Sequence, residues 1–334
     1  MVSRRPVPPL VSIVIPCRNE EPYIARCLDS ALASDYPRER LEILVADGRS
    51  SDGTRPLLVR YVALHPTIVL LDNPRGTTPA GLNVAIRAAS GDIVILMDTH
   101  VLYPPDYIPR LVAGLQESGA DKVGGVFVAV PADDSPTAQA IAVGLSHRFG
   151  VGNTVPFGCY RRETFDRIGM FDEELIRNQD DEFNFRLITR GGRVLLLPDV
   201  LCRYLARRSF RQLARRNYED GYFTPLVARK AGRVMTVHQL IPAALVGCLS
   251  SSAALALWIP AARYLFALVA GGYALLVALF AARAGRPHGL RCAAALTLVF
   301  PVLHFSYGCG SLRGIRDHLV ARGVPRQGTL QLSR

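Results

Sequence analysis

The sequence predicts an α/β protein with a mostly parallel sheet flanked by helices, followed by transmembrane helices near the C-terminus. Short apolar runs rich in β-branched residues alternate with amphipathic stretches, which is typical of repeated β-α-β units. Several of these runs end in a carboxylate. The 334-residue chain is also 49% apolar with a mean hydropathy of +0.19, and long apolar stretches gather in residues 237–310. These stretches predict a membrane region.

The first half of the chain predicts four strands separated by three helices, with right-handed crossovers. The first strand, residues 11–15, is expected to stop at Pro16, and Asn19 is expected to cap the helix after it. Ligands of parallel sheets bind at the carboxyl ends of the strands. The carboxylates that end the other three strands are Asp47, Asp72 and Asp98. Neither GxGxxG after the first strand nor GxxxxGK[ST] is present, which disfavours dinucleotide and P-loop sites.

Asp98 and His100 follow the fourth strand, two positions apart. If the chain is still extended there, both side chains project to the same side of the strand and could share one divalent cation. A carboxylate suits Mg²⁺ or Mn²⁺, and an imidazole favours Mn²⁺. The alternative is that Asp98 caps a turn and that His100 is a surface histidine.

The second half predicts a further strand over residues 121–130, a loop and short helix over 131–153, and a helix beginning near Arg162. A later helix contains the acidic run Gln179-Asp180-Asp181-Glu182, and Gly191-Gly192 should end it.

The chain resembles the family-2 glycosyltransferases with a GT-A fold. The opening VSIVIPCRNEE is similar to the first strand and nucleotide loop of that family, and VADGRSSDGT to its D-x-S-x-D-G-T turn. The DTH of residues 98–100 takes the place of the metal-binding D-x-D. NPRGTTPAGLNVAI followed by D-x-H is more similar still to the ExoA-like branch of succinoglycan biosynthesis.

The resemblance implies a nucleotide-sugar site at the strand ends. The residues assigned to nucleotide binding are Pro16, Arg18, Asn19, Glu20, Asp47, Arg75 and Asp98. Asp47 would accept a hydrogen bond from the uracil imide, although it could instead cap its own loop. Arg18 and Arg75 would contact phosphate, although either could be a solvated arginine. Asp98 and His100 would hold Mn²⁺ or Mg²⁺, which would neutralise the leaving diphosphate.

The family has a Glu-Asp pair at the start of the later helix, and its Asp is the general base. Here the pair is Gln179-Asp180, so one carboxylate is missing and the base is kept. Asp180 is therefore the expected base for an inverting transfer, with Asp181 as the competing register. Acids at a helix start also complement the helix dipole without any catalytic role.

Residues 207–236 are strongly basic in a chain of net charge +11. They predict an amphipathic helix with Phe210, Leu213, Ala214 and Tyr218 on one face, lying on anionic membrane lipids. Arg215 and Arg216 are candidates for a diphosphate contact. Processive family members carry Q-x-x-R-W near this position, and its absence argues against processive synthesis. The aromatic residues are not patterned like a base-stacking platform, so no nucleic acid partner is expected.

Three apolar stretches follow, at residues 237–259, 262–282 and 292–309. The third contains Pro301 and His304, and the residues after it are rich in arginine. The positive-inside rule therefore favours a third stretch that re-enters or lies along the interface rather than crossing.

The expected organisation is a cytoplasmic GT-A catalytic domain (1–206), the basic region (207–236), two or three membrane helices (237–310) and a basic tail (311–334). The expected enzyme is a metal-dependent inverting hexosyltransferase in the bacterial inner membrane. It would transfer a sugar, with glucose favoured by the resemblance, from a UDP-sugar donor to a polyprenyl-diphosphate-linked saccharide. Two alternatives remain: transfer to polyprenyl phosphate, and an inactive nucleotide-sugar-binding scaffold subunit.

Overall fold

The computed structural model describes residues 7–150, 158–206 and 209–321. These fall into two units. The sheet unit comprises residues 7–128 and 158–204, and the helical unit comprises residues 129–150, 205–206 and 209–321. The sequence analysis placed residues 129–153 in the catalytic domain, whereas the structure groups 129–150 with the C-terminal helices.

The first half of the sheet unit alternates strands with helices, as predicted. The elements are β1 (Val11–Cys17), α1 (Ile24–Leu32), β2 (Leu41–Asp47), α2 (Thr54–Leu64), β3 (Ile68–Asp72), α3 (Thr78–Ala88) and β4 (Ile93–Leu96). A short 3₁₀ turn, Arg38–Arg40, precedes β2. Strand β1 pairs in parallel with β2 and β4, and β2 pairs in parallel with β3. The apolar runs form strands because they are buried on both faces of this sheet.

Two details of β1 and α1 differ from the prediction. Strand β1 continues through Pro16 to Cys17. The proline is tolerated because the pairing of β1 with β4 ends earlier, at Val14, so no ladder hydrogen bond to β4 is lost there. Asn19 does not cap α1, which begins at Ile24. It has a φ of 54° and bonds to another loop instead.

The second half of the sheet unit is antiparallel. Its elements are β5 (Val101–Leu102), α4 (Tyr107–Ser118), β6 (Lys122–Val130), β7 (Gly158–Arg161), α6 (Glu163–Ile168), α7 (Gln179–Thr189) and β8 (Val194–Leu205). Strand β7 pairs antiparallel with β4 and with β6, and β5 pairs antiparallel with β8. The order across the eight-stranded sheet is β3-β2-β1-β4-β7-β6-β8-β5. The sheet is therefore mixed, and only its β1–β4 half is parallel.

An aromatic cluster fixes α7 against the sheet. Phe183 of α7 is fully buried, and its ring centroid lies 4.7 Å from that of Phe171 and 5.4 Å from that of Phe165. Tyr160 of β7 meets the same ring edge-on at 5.7 Å. Because aromatic rings bury large areas and favour such tilted contacts, the cluster holds the acidic start of α7 at a defined place.

The helical unit contains α5 (Pro136–Ser146), α8 (Phe210–Lys230), α9 (Val237–Leu255), α10 (Pro260–Gly285) and α11 (Leu290–Gly314). A 3₁₀ turn (Arg286–His288) joins α10 to α11, and a π-helical turn (Ile315–Val320) extends α11. Helix α5 belongs to this unit because its Gly144 lies against α11: a Cβ there would be 2.6 Å from Val299 Cγ1.

Three of the described helices are long and apolar enough to cross a membrane: Val237–Leu255, Pro260–His288 and Leu290–Val320. The third is one continuous helix that includes Pro301. A continuous helix does not turn back within the membrane, so re-entry does not fit this stretch. The other expectation, that it lies along the interface, stays a prediction. Of the basic tail, residues 322–334 lie outside the described residues.

Helix α8 packs closely on α11 through glycines. A Cβ on Gly310 or Gly314 of α11 would overlap the carbonyl oxygens of Tyr218 and Tyr222 of α8, respectively. From Gly221 to Ala228 every residue of α8 is buried. Of the predicted apolar face of α8 only Leu213 is buried, so most of the buried surface of α8 lies in its C-terminal half. Arg207 and Arg208, the first two residues of the predicted basic region, lie outside the described residues.

Candidate active site

Three loops meet at the carboxyl edge of the parallel strands. Cys17 of β1 is level with Asp47 of β2, which is level with Asp72 of β3. The Arg18 side chain lies between the next two loops: a Cβ on Gly48 would be 3.1 Å from Arg18 Cβ, and one on Gly76 would be 2.7 Å from its Nη1. Gly76 also has a φ of 65°, which favours glycine. Arg18 Nη1 donates to the Gly76 carbonyl at 3.3 Å.

Polar contacts join the first loop to the second. The Asn19 side-chain oxygen accepts from the Ser51 N–H at 2.8 Å, and the Asn19 N–H donates to Ser50 Oγ at 2.9 Å. The Glu20 N–H donates to Thr54 Oγ1 at 2.7 Å. Asn19 thus holds the two loops together. Pro16 of β1 packs against α3, where a Cβ on Gly81 would be 3.1 Å from the proline Cβ.

The Asp47 carboxylate is fully buried and bonds within its own surroundings. Its Oδ1 accepts from the Ser50 hydroxyl at 2.5 Å, and its Oδ2 accepts from Arg55 Nη1 at 2.9 Å. The same guanidinium nitrogen lies 2.7 Å from Asp72 Oδ1, so Arg55 bridges the ends of β2 and β3. Asp47 therefore shapes its own loop, which was the structural alternative for this residue.

Asp98 and His100 lie in a turn, not in an extended strand. Strand β4 ends at Leu96, and the His100 N–H donates to Asp98 Oδ1 at 2.8 Å. The Tyr103 hydroxyl accepts from the Asp98 N–H at 2.7 Å and so fixes the start of the turn. The expectation that residues 98 and 100 project to the same side required an extended strand, so it does not apply to this turn. The turn still keeps both residues at the edge where β4 ends.

His100 is buried and faces Glu20. Its Nε2 lies 3.1 Å from Glu20 Oε2, and the two side chains are 8% and 6% exposed. The Tyr23 ring lies 4.4 Å from the imidazole. His100 is therefore not a surface histidine. Its partner Glu20 is one of the residues assigned to nucleotide binding, and that assignment stays a prediction.

The donor atoms of Asp98 and His100 fit a divalent cation, since one offers a carboxylate oxygen and the other an imidazole nitrogen. No group of three or more His, Cys, Asp or Glu side chains within residues 7–150, 158–206 and 209–321 is arranged to hold a metal ion. A cation at this turn would have to complete its coordination with substrate or water oxygens.

Arg75 lies after β3 and is 63% exposed. Its Nη1 contacts Glu173 Oε2 at 2.6 Å, and the other oxygen of Glu173 accepts from Asn83 Nδ2 of α3 at 2.9 Å. Arg75, which was predicted to contact phosphate, is thus in an ion pair with Glu173. Because the pair is exposed at the arginine, it contributes little to stability.

The acidic run lies at the start of α7, as predicted. Glu182 is buried and binds Arg186, with an Nε–Oε1 distance of 2.8 Å. Arg186 also donates to the carbonyl oxygens of Ile168 and Met170, which ties α7 to the preceding loop. Asp180 and Asp181 are half-buried, and Asp180 Oδ1 accepts from the Asp181 N–H at 3.1 Å. Two carboxylates are therefore adjacent at one helix start.

Comparison with known proteins decides the family. The model of glycosyl transferase family 2 matches residues 12–178, which is half of the chain. This chain belongs to glycosyl transferase family 2. The match begins in β1 and ends just before α7, so it covers the loops after β1–β3 and the Asp98 turn. The resemblance found in the sequence is confirmed.

Two curated relatives extend the comparison. The transferase is 33% identical over 208 residues to the succinoglycan biosynthesis protein ExoA of Rhizobium meliloti, and the match covers 58% of this chain and 63% of that protein. It is 27% identical, over 66% of its length and 74% of the relative, to a Methanococcus voltae dolichyl N-acetyl-α-D-glucosaminyl phosphate 3-β-D-2,3-diacetamido-2,3-dideoxy-β-D-glucuronosyltransferase.

Solved structures confirm the GT-A fold. The transferase superposes on the mannosyltransferase PcManGT of Pyrobaculum calidifontis, solved with GDP-Man and Mn²⁺, with a TM-score of 0.64 at 24% identity. That match covers 92% of this chain and 88% of the other. S. aureus TarS (residues 1–349) with UDP-GlcNAc gives a TM-score of 0.51 at 18% identity over 95% and 93% of the two chains.

Arg215 and Arg216 of the transferase lie on α8 in the helical unit. Each pairs with a carboxylate one turn further on: Arg215 Nε with Glu219 Oε1 at 3.4 Å, and Arg216 Nε with Asp220 Oδ2 at 3.8 Å. The two arginines predicted to contact diphosphate are thus each in an ion pair within α8. These pairs form because residues i and i+4 are neighbours on a helix surface.

Sequence reasoning missed two residues at the site of the transferase. Arg55 follows the DGT turn by one residue, and nothing in its local pattern distinguished it from the other arginines. Lys122 is one of only two lysines in the chain and begins a strand, yet its side chain is fully buried. The signal in the sequence that could have identified Lys122 was the presence of a lysine at the start of an apolar strand.

Proposed function

We propose that the chain is a membrane-anchored, inverting, metal-dependent glycosyltransferase that uses a UDP-sugar. The observation that carries the proposal is the meeting of the loops after β1, β2 and β3 around Arg18, Gly48 and Gly76. This site lies at the carboxyl edge of the parallel strands, where α/β sheets bind nucleotides. Membership of family 2 supplies the reaction class.

Asp98 and His100 are proposed to hold Mn²⁺ or Mg²⁺. The bound cation would neutralise negative charge on the departing diphosphate. Since Nε2 of His100 faces Glu20, coordination would use Nδ1, and Glu20 would orient the ring from behind. A carboxylate behind a metal-binding histidine fixes its tautomer and raises its basicity. PcManGT was solved with Mn²⁺, which supports a divalent metal in this chain.

Asp180 is proposed as the general base that takes the proton of the acceptor hydroxyl. Inversion requires attack from the side opposite the leaving diphosphate, and a carboxylate at the start of α7 could act there. Asp180 is half-buried and lies on the same face of α7 as Asn184, which contacts Lys122 of β6. Asp181 remains the competing residue.

The donor is proposed to be a UDP-sugar, with UDP-glucose favoured. In the structure Asp47 is bonded to Ser50 and Arg55, so any contact with uracil would share these oxygens. Calorimetric titration of UDP and GDP against the full chain tests the nucleotide. Tighter binding of GDP would reject the uridine assignment and the role of Asp47 together.

The acceptor is proposed to be a polyprenyl-diphosphate-linked saccharide, in polysaccharide assembly. The Methanococcus voltae relative is named for a lipid-linked sugar acceptor, and ExoA for a polysaccharide, which supports this class. Sugar nucleotides are made in the cytoplasm, so the sheet unit is proposed to face it. The basic α8 is proposed to contact anionic lipids.

One assay tests the reaction as a whole. Membranes containing the chain are incubated with radiolabelled nucleotide sugars and a lipid extract, with chelator or with Mn²⁺. We expect transfer to the lipid fraction that chelator abolishes and Mn²⁺ restores. Nucleotide binding without transfer or donor hydrolysis under any condition would instead identify an inactive binding subunit. Full activity in chelator would reject the metal.

A further inference from the structure

Lys122 is a fully buried cation at the start of β6. Its relative exposure is 0%, in a chain whose other positive charges are, except for Lys230, arginines. Burying an ammonium group is costly unless nearby groups compensate for the lost hydration. Polar or charged groups around Lys122 should therefore compensate for the hydration that its ammonium group loses on burial.

The compensation comes from α7 and β7. Lys122 Nζ donates to Asn184 Oδ1 of α7 at 2.7 Å, and Nζ lies 5.1 Å from the centre of the Tyr160 ring. Strand β7 also leaves space for the lysine stem. Gly158 has a φ of 129°, and a Cβ there would lie 2.6 Å from Lys122 Cε. This stretch of β7 is thus shaped around the lysine.

Two carboxylates act on this ammonium group. Burial lowers the pKa of Lys122 from 10.5 to about 8, and the charges of Asp180 and then Asp181 oppose that shift. Asp180 also raises the pKa of Tyr160, after the larger effect of burial. Asp180 precedes Asn184 by four residues in α7, so the two lie on the same face of the helix, the face that meets Lys122. Asn184, one turn further along α7, makes the direct contact.

We propose that Lys122 is a positioning residue that keeps Asp180 ionised and oriented towards the acceptor. The inference rests on the proposed role of Asp180 as the base. Asp180 and Asp181 are adjacent and half-buried, so each disfavours the charge of the other. A buried cation on the sheet side offsets that repulsion. Through Asn184 it also holds α7 against β6.

The test is the pH profile of transfer by Lys122→Met in the full chain. Methionine has a similar length and no charge. Without the cation, Asp180 should take up a proton at higher pH, so the acidic limb should move up by about one pH unit. On the acidic limb itself, activity at a given pH should fall by up to about tenfold. Above pH 9 Lys122 of the unmodified protein is itself neutral, and the two proteins should converge.

The controls separate positioning from a general structural effect. Lys230→Met removes the other lysine and should leave the profile unchanged. Lys122→Gln keeps a polar group next to Asn184 without charge, and it should show the same shift. It serves as the test protein if the methionine variant does not fold. UDP binding should be the same in all of these proteins. A ratio of activities that is independent of pH, or a profile that does not move, would overturn the inference.

Asp180→Asn, measured in parallel, distinguishes an error in the role of Lys122 from an error in the assignment of Asp180 as the base. If that variant is inactive and the Lys122 profile does not move, the role of Lys122 alone is wrong. If Asp180→Asn is fully active, the assignment of the base is wrong and the inference about Lys122 falls with it.

Discussion

Glu20 is a buried carboxylate whose charged partner is a histidine. The contact with His100 joins the loop after β1 to the turn after β4. A carboxylate at this distance selects the imidazole tautomer with hydrogen on Nε2. The proposed metal site and the Asn19 loop are thus coupled through one side-chain pair.

Glu20→Gln tests this coupling. The amide still reaches His100 but no longer supplies the charge that raises the basicity of the ring. We expect the apparent affinity for Mn²⁺ to fall by roughly 10- to 100-fold, with unchanged affinity for UDP without metal. Titration of transfer activity with Mn²⁺ measures the change. Glu21→Gln, one position on, alters a carboxylate that contacts Gly53 and should not change the metal dependence. Equal effects of both substitutions would disprove the coupling.

Asp180→Asn tests the base. The substitution is nearly isosteric, so the fold and nucleotide binding should be kept, while transfer should fall by about 10²- to 10⁴-fold. Single-turnover transfer and UDP calorimetry on the same preparation give both quantities. The matched variant is Asp181→Asn. An active Asp180→Asn beside an inactive Asp181→Asn would move the base by one residue.

The sequence was informative wherever a role depends on neighbouring residues. Asp47 and Asp180 lie at the ends of elements that hydrophobic periodicity predicts, so their positions could be foreseen. The partner of Glu20 could not, because His100 is 80 positions away and only the fold brings the two together. The turn at Asp98 was also not foreseeable, since the apolar run does not mark where extension stops.

At the level of elements, long periodic segments were predicted and short antiparallel strands were not. Helix α7 was found from its acidic start and its Gly191-Gly192 end. Strand β7 has only four residues, too few for a period to emerge. Strand β8 was missed as well, and it contains Pro198 and exposed leucines. Antiparallel pairing at this side of the sheet depends on partners distant in sequence, which local patterns do not reveal.

The close packing of α8 and α11 gives a test at this scale. In Gly310→Ala the new methyl group would overlap the Tyr218 carbonyl oxygen, and backbone cannot yield as a flexible side chain can. We expect a loss of about 1–3 kcal/mol in stability, seen as a lower unfolding temperature in detergent. Small residues at such positions allow helices in membranes to approach closely.

Gly272→Ala on α10 is the control for that test. Apart from its chain neighbours and the adjacent helix backbone, no atom lies within 4 Å of the position that its Cβ would take. Because alanine favours a helix by up to about 1 kcal/mol over glycine, this variant should be equally or more stable. If both variants unfold at the same temperature as the unmodified protein, the glycine contact does not stabilise the helical unit.

At the level of the whole molecule, the three apolar helices predict the course of the chain through the membrane. With the sheet unit in the cytoplasm, α9 would leave it and α10 would return. The arginines Arg283, Arg286 and Arg291 near the α10–α11 connection agree with an inside position. The unbroken α11 would then cross once more.

Single cysteines in a cysteine-free variant test this topology. Leu257 lies in the α9–α10 connection and is 70% exposed, and Gly289 lies in the α10–α11 connection. We expect an impermeant maleimide to label Leu257→Cys in intact cells and Gly289→Cys only after permeabilisation. The reverse pattern would place the sheet unit outside the cytoplasm and contradict the use of a cytoplasmic donor.

Strand β7 lies between β4 and β6, although residues 129–150, including α5 of the helical unit, precede it in the chain. A ribosome therefore makes α5 of the helical unit before it makes the strand that joins β4 to β6. Until then the nascent chain presents an unpaired β4 edge, the kind of surface on which strands aggregate. Synthesis of this protein should thus depend on a chaperone or on early membrane targeting. A fragment that ends at residue 128 lacks β7 and β8 and should not fold as the complete sheet unit does.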